Sequence, residues 1–280
     1  MALAPQIGGS TAAAPPGASR AGSLLRLAFD RVGPFLTLGS LLIAWELAAR
    51  LELVMAFLLP PASGVAMRIF QDLFTGRLAY DIGITLYRAI SAFSIAAIGG
   101  ITLGILISRV AAIRWFFDPL LSIGLPMPKV ALLPIFMLWF GLFDASKVLM
   151  AAFSASFQIV VTTWAATRGV ERELVWSARS LGASEREILR EVVFRAAMPQ
   201  ILTGLQIAMP VCMIVVLVTE MIMGGQGLGD SMLRSARYVD SPGVFAGIVE
   251  IGLIGFGVMK IMEVLRRRLL AWHQETQKDQ

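Results

Sequence analysis

Residues Glu171 to Pro199 read E-R-E-L-V-W-S-A-R-S-L-G-A-S-E-R-E-I-L-R-E-V-V-F-R-A-A-M-P, a polar island between apolar runs. Leu174, Ala178 and Leu181 recur at helical spacing and stop at Gly182, a residue type that closes a helix with positive φ. Ser184 then opens a second helix, because Glu187 three places on completes a capping box. Beyond it Ile188, Leu189, Val192 and Val193 form one apolar stripe, and Glu185, Arg186, Arg190 and Glu191 the wet side. The expectation is an elbow of two short helices hinged at Gly182, with a tip, Gly182-Ala183-Ser184, that carries almost no side-chain bulk. Such a tip admits close approach by another protein, and flanking arginines suit that protein's carboxylates. A solvated loop laced by local Glu/Arg pairs accounts for the same pattern equally well.

The 280-residue chain around this island is 57% hydrophobic and only 15% charged, against about 25% charged in soluble domains. Composition therefore places it in a membrane, with lipid as its surroundings. Six segments are long and apolar enough to span: Gly33 to Arg50, Thr85 to Ser108, Pro119 to Gly141, Ala145 to Arg168, Gln200 to Met223 and Val244 to Leu265. Pro126, Pro128 and Pro134 predict a kinked third span, whose freed carbonyls need neighbours. Lys and Arg cluster before the first span, after the second and fourth, and after the sixth at Arg266 to Arg268. The opposite connections are poorer, with Arg68 and Arg77 offset by Asp72 and Asp81 and Lys147 by Asp144, and only Arg234 and Arg237 argue the other way. By the positive-inside rule both termini and the island are expected in the cytoplasm. The net charge of +5 lies in these flanks and forms no stripe for nucleic acid.

Residues 1–32, which open with an Ala, Pro, Gly and Ser-rich stretch, are expected to be a disordered leader, 33–265 the membrane domain, and 266–280 a cytoplasmic tail. In the connection after the first span, Val65, Ile69, Leu73 and Phe74 predict an amphipathic helix that lies along the membrane surface or acts as a packing element. One cysteine, Cys212, and one histidine, His273, leave no set for a metal site, a disulfide or a Cys/His catalytic pair. No P-loop motif is present, and Gly224-Gly225-Gln226-Gly227-Leu228-Gly229 after the fifth span reads as a flexible turn.

Ionisable residues inside spans are costly and are functional candidates by default. Lys129, beside Pro128 and ahead of Pro134 in the broken third span, is a candidate for the path of an anion, with snorkelling or pairing to an acidic neighbour as the alternative. Glu220 near the outer end of the fifth span reads as a structural or gating partner, and Glu250 and Lys260 as a pair between helices. Gly100 and Gly104 form a G-x-x-x-G, read as internal close packing.

Ser177-Ala178-Arg179-Ser180-Leu181-Gly182-Ala183-Ser184, followed by Val192, Val193 and Met198-Pro199, resembles the EAA loop of permease subunits of bacterial ABC importers, E-A-A-x3-G with I-x-L-P downstream. Leu59-Pro60-Pro61, Ala131-Leu132-Leu133-Pro134, Leu138-Trp139-Phe140-Gly141, Ala145-Ser146-Lys147 and Gly227-Leu228-Gly229 add a likeness to the nitrate, sulfonate, taurine and bicarbonate branch. The likeness runs from about Gly33 to Trp272. Trp176 stands where the family has the glutamate of E-A-A, and Phe194-Arg195 where it has Leu-Pro, so the pairing made by that glutamate is not carried over.

The resemblance implies an all-α fold of six transmembrane helices in the type I importer architecture, with a cytoplasmic coupling elbow between helices 4 and 5. It implies docking of an ATP-binding subunit at Ala178, Arg179, Gly182, Ala183, Ser184 and Glu187. It also implies a periplasmic or lipoprotein solute-binding protein, a homodimer, and location in the bacterial inner membrane. Such a subunit is not an enzyme; ATP and Mg are bound by the partner ATPase and no cofactor by this chain. The rival reading is a membrane scaffold or intramembrane enzyme that uses the elbow only for assembly.

Overall fold

The computed structural model describes the backbone of residues 20–271 and the side chains from Leu36 onward. The chain divides into two units, Met1–Ala56 and Phe57–Gln280. The first holds α1 (Arg20–Arg50), whose last turn carries a Glu46–Arg50 ion pair at 2.7 Å. Because α1 begins at Arg20, the leader expected through residue 32 gives its last residues to this helix. Residues 1–19 and the tail beyond residue 271, His273 included, lie outside the described residues.

The second unit is built from α2 (Ala62–Phe74), α3 (Arg77–Arg109), α4 (Ala111–Gly124), a 3-10 turn (Lys129–Leu132) running into α5 (Leu133–Phe140), and α6 (Asp144–Arg168). There follow α7 (Arg172–Ser180), α8 (Glu185–Glu187), a π turn (Ile188–Val193), α9 (Phe194–Met223), α10 (Leu228–Arg237) and α11 (Ser241–Leu269). Among the described residues four helices are long and apolar enough to cross a membrane: α3, α6, the continuous Glu185–Met223 helix and α11. The pair Ala111–Gly124 and Lys129–Phe140 meets the same standard together, bent by 102°. Six expected spans thus become four, or five if the bent pair is one span. The segment left over is Gly33 to Arg50, whose described side chains cover less than the roughly 20 residues a crossing needs.

The bent pair does carry the chain across. Near its start α3 presents Thr85 and Arg88 to the glycine loop that follows α9, and at its far end Ser108 and Arg109 line a cavity with Arg172 and Trp176 of α7. The chain leaves α3 at this second end, the elbow end, yet α6 begins with Asp144 paired to Arg88 at the first, the loop end. Only passage through α4 and α5 connects the two. The expected kink is a break: Pro126 and Pro128 interrupt the helix, and Pro134 restarts it within the first positions of α5.

The core is the α3, α6 and α9 seam. Ala89, Ala92, Ala96, Gly100 and Gly104 form a buried small-residue stripe along α3. A methyl group on Gly100 would meet Ile159, and one on Gly104 would meet Thr163, so both glycines serve internal packing against α6, as expected. Met150, Ala151, Ala155 and Ile159 of α6 and Ala208, Cys212 and Val216 of α9 complete this core. The amphipathic helix expected after the first span is α2, which buries Val65 and is tied to the foot of α11 by an Arg68–Asp240 ion pair at 2.9 Å. Arg68 also donates to Asp72 at 2.9 Å, and that bond raises its guanidinium pKa above the ordinary value.

Candidate functional site

At the elbow end α7 closes on a left-handed Gly182, φ 85°. The Gly182 amide donates to the Arg179 carbonyl at 3.0 Å and the Ala183 amide to the Ala178 carbonyl at 3.1 Å, the paired bonds of a Schellman motif. Ser184 starts the next helix. Its hydroxyl oxygen accepts from the Glu187 amide at 3.4 Å while its own amide donates to the Glu187 carboxylate at 2.8 Å, the capping box read from the sequence. Arg179 crosses the turn to Glu185 at 2.5 Å, an exposed ion pair between the two arms. Gly182, Ser184, Arg179 and Glu187 are exposed and Ala178 and Ala183 half-buried, so the tip is bare.

The stripe of the second arm holds as well: Ile188 and Val193 are buried, Leu189 and Val192 partly so, and Glu185, Arg186, Arg190 and Glu191 exposed. What differs is length. The second arm is the start of a 39-residue helix that runs to Met223 through the π turn, so no loop separates the elbow from the span. The first arm's apolar residues do not face inward; Leu174, Trp176 and Leu181 are exposed, Leu181 at 86%.

At the loop end lies a buried polar lattice that the sequence reading found only in part. Glu220 is fully buried and accepts from Arg88 Nη1 at 2.7 Å, from the Thr85 hydroxyl at 3.0 Å and from the Gly229 amide at 3.1 Å. Arg88, 2% exposed, also donates through Nε and Nη2 to Asp144 at 2.9 and 2.6 Å, and to the Gln226 and Gly225 carbonyls at 2.8 and 3.3 Å. Buried Lys147 donates to the Gly224 carbonyl at 2.5 Å, and Asp81 accepts from the Gly227 amide at 3.0 Å. The glycine loop is therefore pinned, contrary to the flexible turn expected. Gly224, Gly225, Gln226 and Gly227 all have positive φ, and side chains from α3, α6 and α10 hold them there. Removing one member of such a buried pair costs about 3–5 kcal/mol, because its partner's charge is left unanswered.

Arg88, Asp81, Asp144 and Lys147 were missed as members of a site. The available signal was Arg88, the one charge in the apolar run from Thr85 to Ser108. Asp144 and Lys147, close together at the start of α6, reach different hydrogen-bond partners. A second correction concerns α11. Lys260 pairs with Glu263 at 2.7 Å on its own helix, and Glu250 is buried with its Oε1 unpartnered, so Glu250 and Lys260 form no pair.

Lys129 sits at the break with Pro128 and Pro134. Its ammonium donates to the Leu125 carbonyl at 3.1 Å and lies 5.1 Å from the centre of the Phe157 ring. Phe157 is about 20 Å along α6 from Asp144 by helical rise. Lys129 and Glu220 are thus not brought together: one is at mid-span, the other in the lattice. Among the described residues no cluster of His, Cys, Asp and Glu suits a metal ion.

Comparison with known proteins follows the same lines. Residues 96–271 match the family described as binding-protein-dependent transport system inner membrane component. The taurine transport system permease protein TauC of Escherichia coli is 30% identical over 86% of this chain and 90% of its own. A putative aliphatic sulfonates transport permease protein, SsuC of Bacillus subtilis, is 28% identical over 81% and 83%. The formylaminopyrimidine transport permease protein ThiX of Halalkalibacterium halodurans is 29% identical over 90% and 100%. Among solved structures, an inward-facing MetNI methionine ABC transporter superposes with a TM-score of 0.56 at 16% identity, covering 69% of this chain and 98% of that one. An amino acid ABC transporter gives 0.59 at 18%, covering 71% and 96%. At these identities the structures speak for the fold.

Proposed function

The chain belongs to the family of binding-protein-dependent transport system inner membrane components, as a non-catalytic permease subunit of an ABC importer, and from this we propose that its elbow couples a separate ATP-binding subunit to alternating access. The observation that carries the proposal is the continuity of the second arm with α9. A partner seated on Gly182, Ala183 and Ser184, flanked by Ala178, Arg179 and Glu187, pushes on one continuous 39-residue helix, so displacement at the tip is passed along that helix to the membrane core. Two copies of the chain, each with one ATPase, would enclose the path, and a periplasmic or lipoprotein binding protein would deliver cargo from the loop end. With α1 as a further crossing the permease has six spans, with both termini on the elbow side, in the cytoplasm.

The cargo is a small polar or anionic solute. The relatives named for taurine and aliphatic sulfonates support this class, and the broken third span, with Pro128, Lys129 and Pro134, supplies a cation at mid-depth, with Glu220 closing the path at the loop end. The test is copurification: tagged chain carrying Ala183→Cys, cross-linked in membranes, is expected to retain an ATP-binding subunit, and reconstituted complex to take up a sulfonate in an ATP-dependent way. A chain that never captures an ATPase refutes the coupling role.

A further inference from the structure

The loop-end lattice joins three spanning helices through one side chain. Arg88 of α3 holds Asp144 at the start of α6, Glu220 near the end of α9, and the carbonyls of Gly225 and Gln226 beyond it. Among the described residues, the side-chain hydrogen bonds between α3, α6 and α9 lie at this end, and the deepest is from the Cys212 thiol to the Ala89 carbonyl at 3.4 Å. Below that the small-residue stripe of α3 meets larger side chains, Ile159 opposite Gly100 among them, and among the described residues no side-chain hydrogen bond joins the three helices there. The pinned loop runs through four consecutive positive φ angles, one of them at Gln226, where a side chain disfavours it. The lattice holds Gln226 there, through Arg88 on its carbonyl and Asp230 on its amide. One member is also reachable: the Asp144 side chain is 56% exposed, although its partner Arg88 is buried. Water or a protein group arriving from that side can replace Asp144 without first crossing the core.

We propose that Arg88, Glu220 and Asp144 form the latch that shuts the loop end of the permease, with Arg88 and Glu220 as positioning residues for its opening. The latch rests on the alternating-access reading above and names the residues that hold one of its two states. Opening exchanges the Arg88 bonds for water, parts α3 from α9, and exposes Cys212, the chain's one cysteine.

That cysteine is the reporter. Membranes containing the chain with its ATPase subunit would be treated with a small water-soluble methanethiosulfonate, with and without a non-hydrolysable ATP analogue. In the wild type, Cys212 is expected to label slowly without nucleotide and faster with it. Arg88→Met and Glu220→Gln are expected to raise the nucleotide-free rate at least about tenfold and to flatten the nucleotide response, with Asp144→Asn intermediate and the Arg88→Met/Glu220→Gln double variant no faster than the singles. Asp144→Asn alters a half-exposed side chain and keeps the test informative if either buried variant fails to insert. Unchanged nucleotide-free labelling in the inserted variants overturns the latch. So does faster labelling that keeps the full nucleotide response, which marks loosened packing alone. A wild type that captures no ATPase refutes the coupling reading instead, and the nucleotide-free rates still judge the latch.

Discussion

Gly182 and Gly227 both have positive φ, but a methyl group fails at them for different reasons. Around Gly182, φ 85°, an added Cβ meets nothing within 4 Å, so Gly182→Ala brings only the left-handed backbone penalty, about 1–2 kcal/mol. At Gly227, φ 108°, the same Cβ runs into the Glu220 carboxylate and so forces apart the most buried ion pair among the described residues. Gly227→Ala is expected to cost about 3–5 kcal/mol. Thermal unfolding of the assembled complex in detergent separates the two, with a small fall in midpoint for Gly182→Ala and a large one, or failure to assemble, for Gly227→Ala. Equal shifts would show that φ alone governs both sites. The sequence displayed these glycines unequally. Gly182 could be read because everything that explains it is within five residues: Ala178, Arg179, Ser184 and Glu187. Gly227 could not, because its reason lies in Glu220 and Asp81, the latter 146 positions away.

The π turn at Ile188–Val193 explains how the elbow is joined to its span. In an α-helix residues five apart point about 140° away from one another, yet Ile188 and Val193 are both buried. One extra residue in the turn brings them back to the same side. Deleting exposed Arg190 should convert the turn to α-helix with the flanking faces in place, so folding and membrane insertion are retained. Deleting Met213 from the regular part of α9 should rotate one half of the helix by about 100° against the other and unseat Cys212 from Val216. Yield of folded, monodisperse protein checks the pair; equal loss in both would refute the account of the π turn. At this scale the four long spans were legible because hydrocarbon requires each backbone polar group to be paired internally, which a long apolar helix achieves by itself. The junction was not, since E-R-E-I-L-R-E-V-V reads identically as a short separate helix or as the first turns of a longer one. The broken third span was legible as to its prolines but not its angle, which depends on how α5 packs on α6, with Phe136 against Phe153.

Polarity separates the two ends of the molecule, and the count of crossings between them fixes topology. From the foot of α3 to the tail of α11 the chain passes α3, the bent pair, α6, the Glu185–Met223 helix and α11, so Arg266 to Arg268 return to the elbow end. The loop end gathers Asp81, Arg88, Asp144, Lys147, Glu220 and Asp230 into bonds with one another and with the glycine loop, whereas the elbow end spreads its arginines over exposed surface. The positive-inside rule counts Lys and Arg beside the spans, and these are more numerous in the elbow-end connections and after α11 than in the loop-end ones, so the elbow end is expected in the cytoplasm. Ala183→Cys at the tip and Tyr238→Cys, 81% exposed at the end of α10, should then label from opposite faces with an impermeant thiol reagent, Ala183 only after the membrane is opened. A cysteine placed at residue 2 should behave like Ala183 if α1 crosses and like Tyr238 if it does not. Labelling of Ala183 and Tyr238 from the same face would require the Glu185–Met223 helix between them to turn back within the bilayer. Arg88 could not then hold Glu220 while Arg109 stands beside Val193 of the same helix, and the two-ended arrangement would fail.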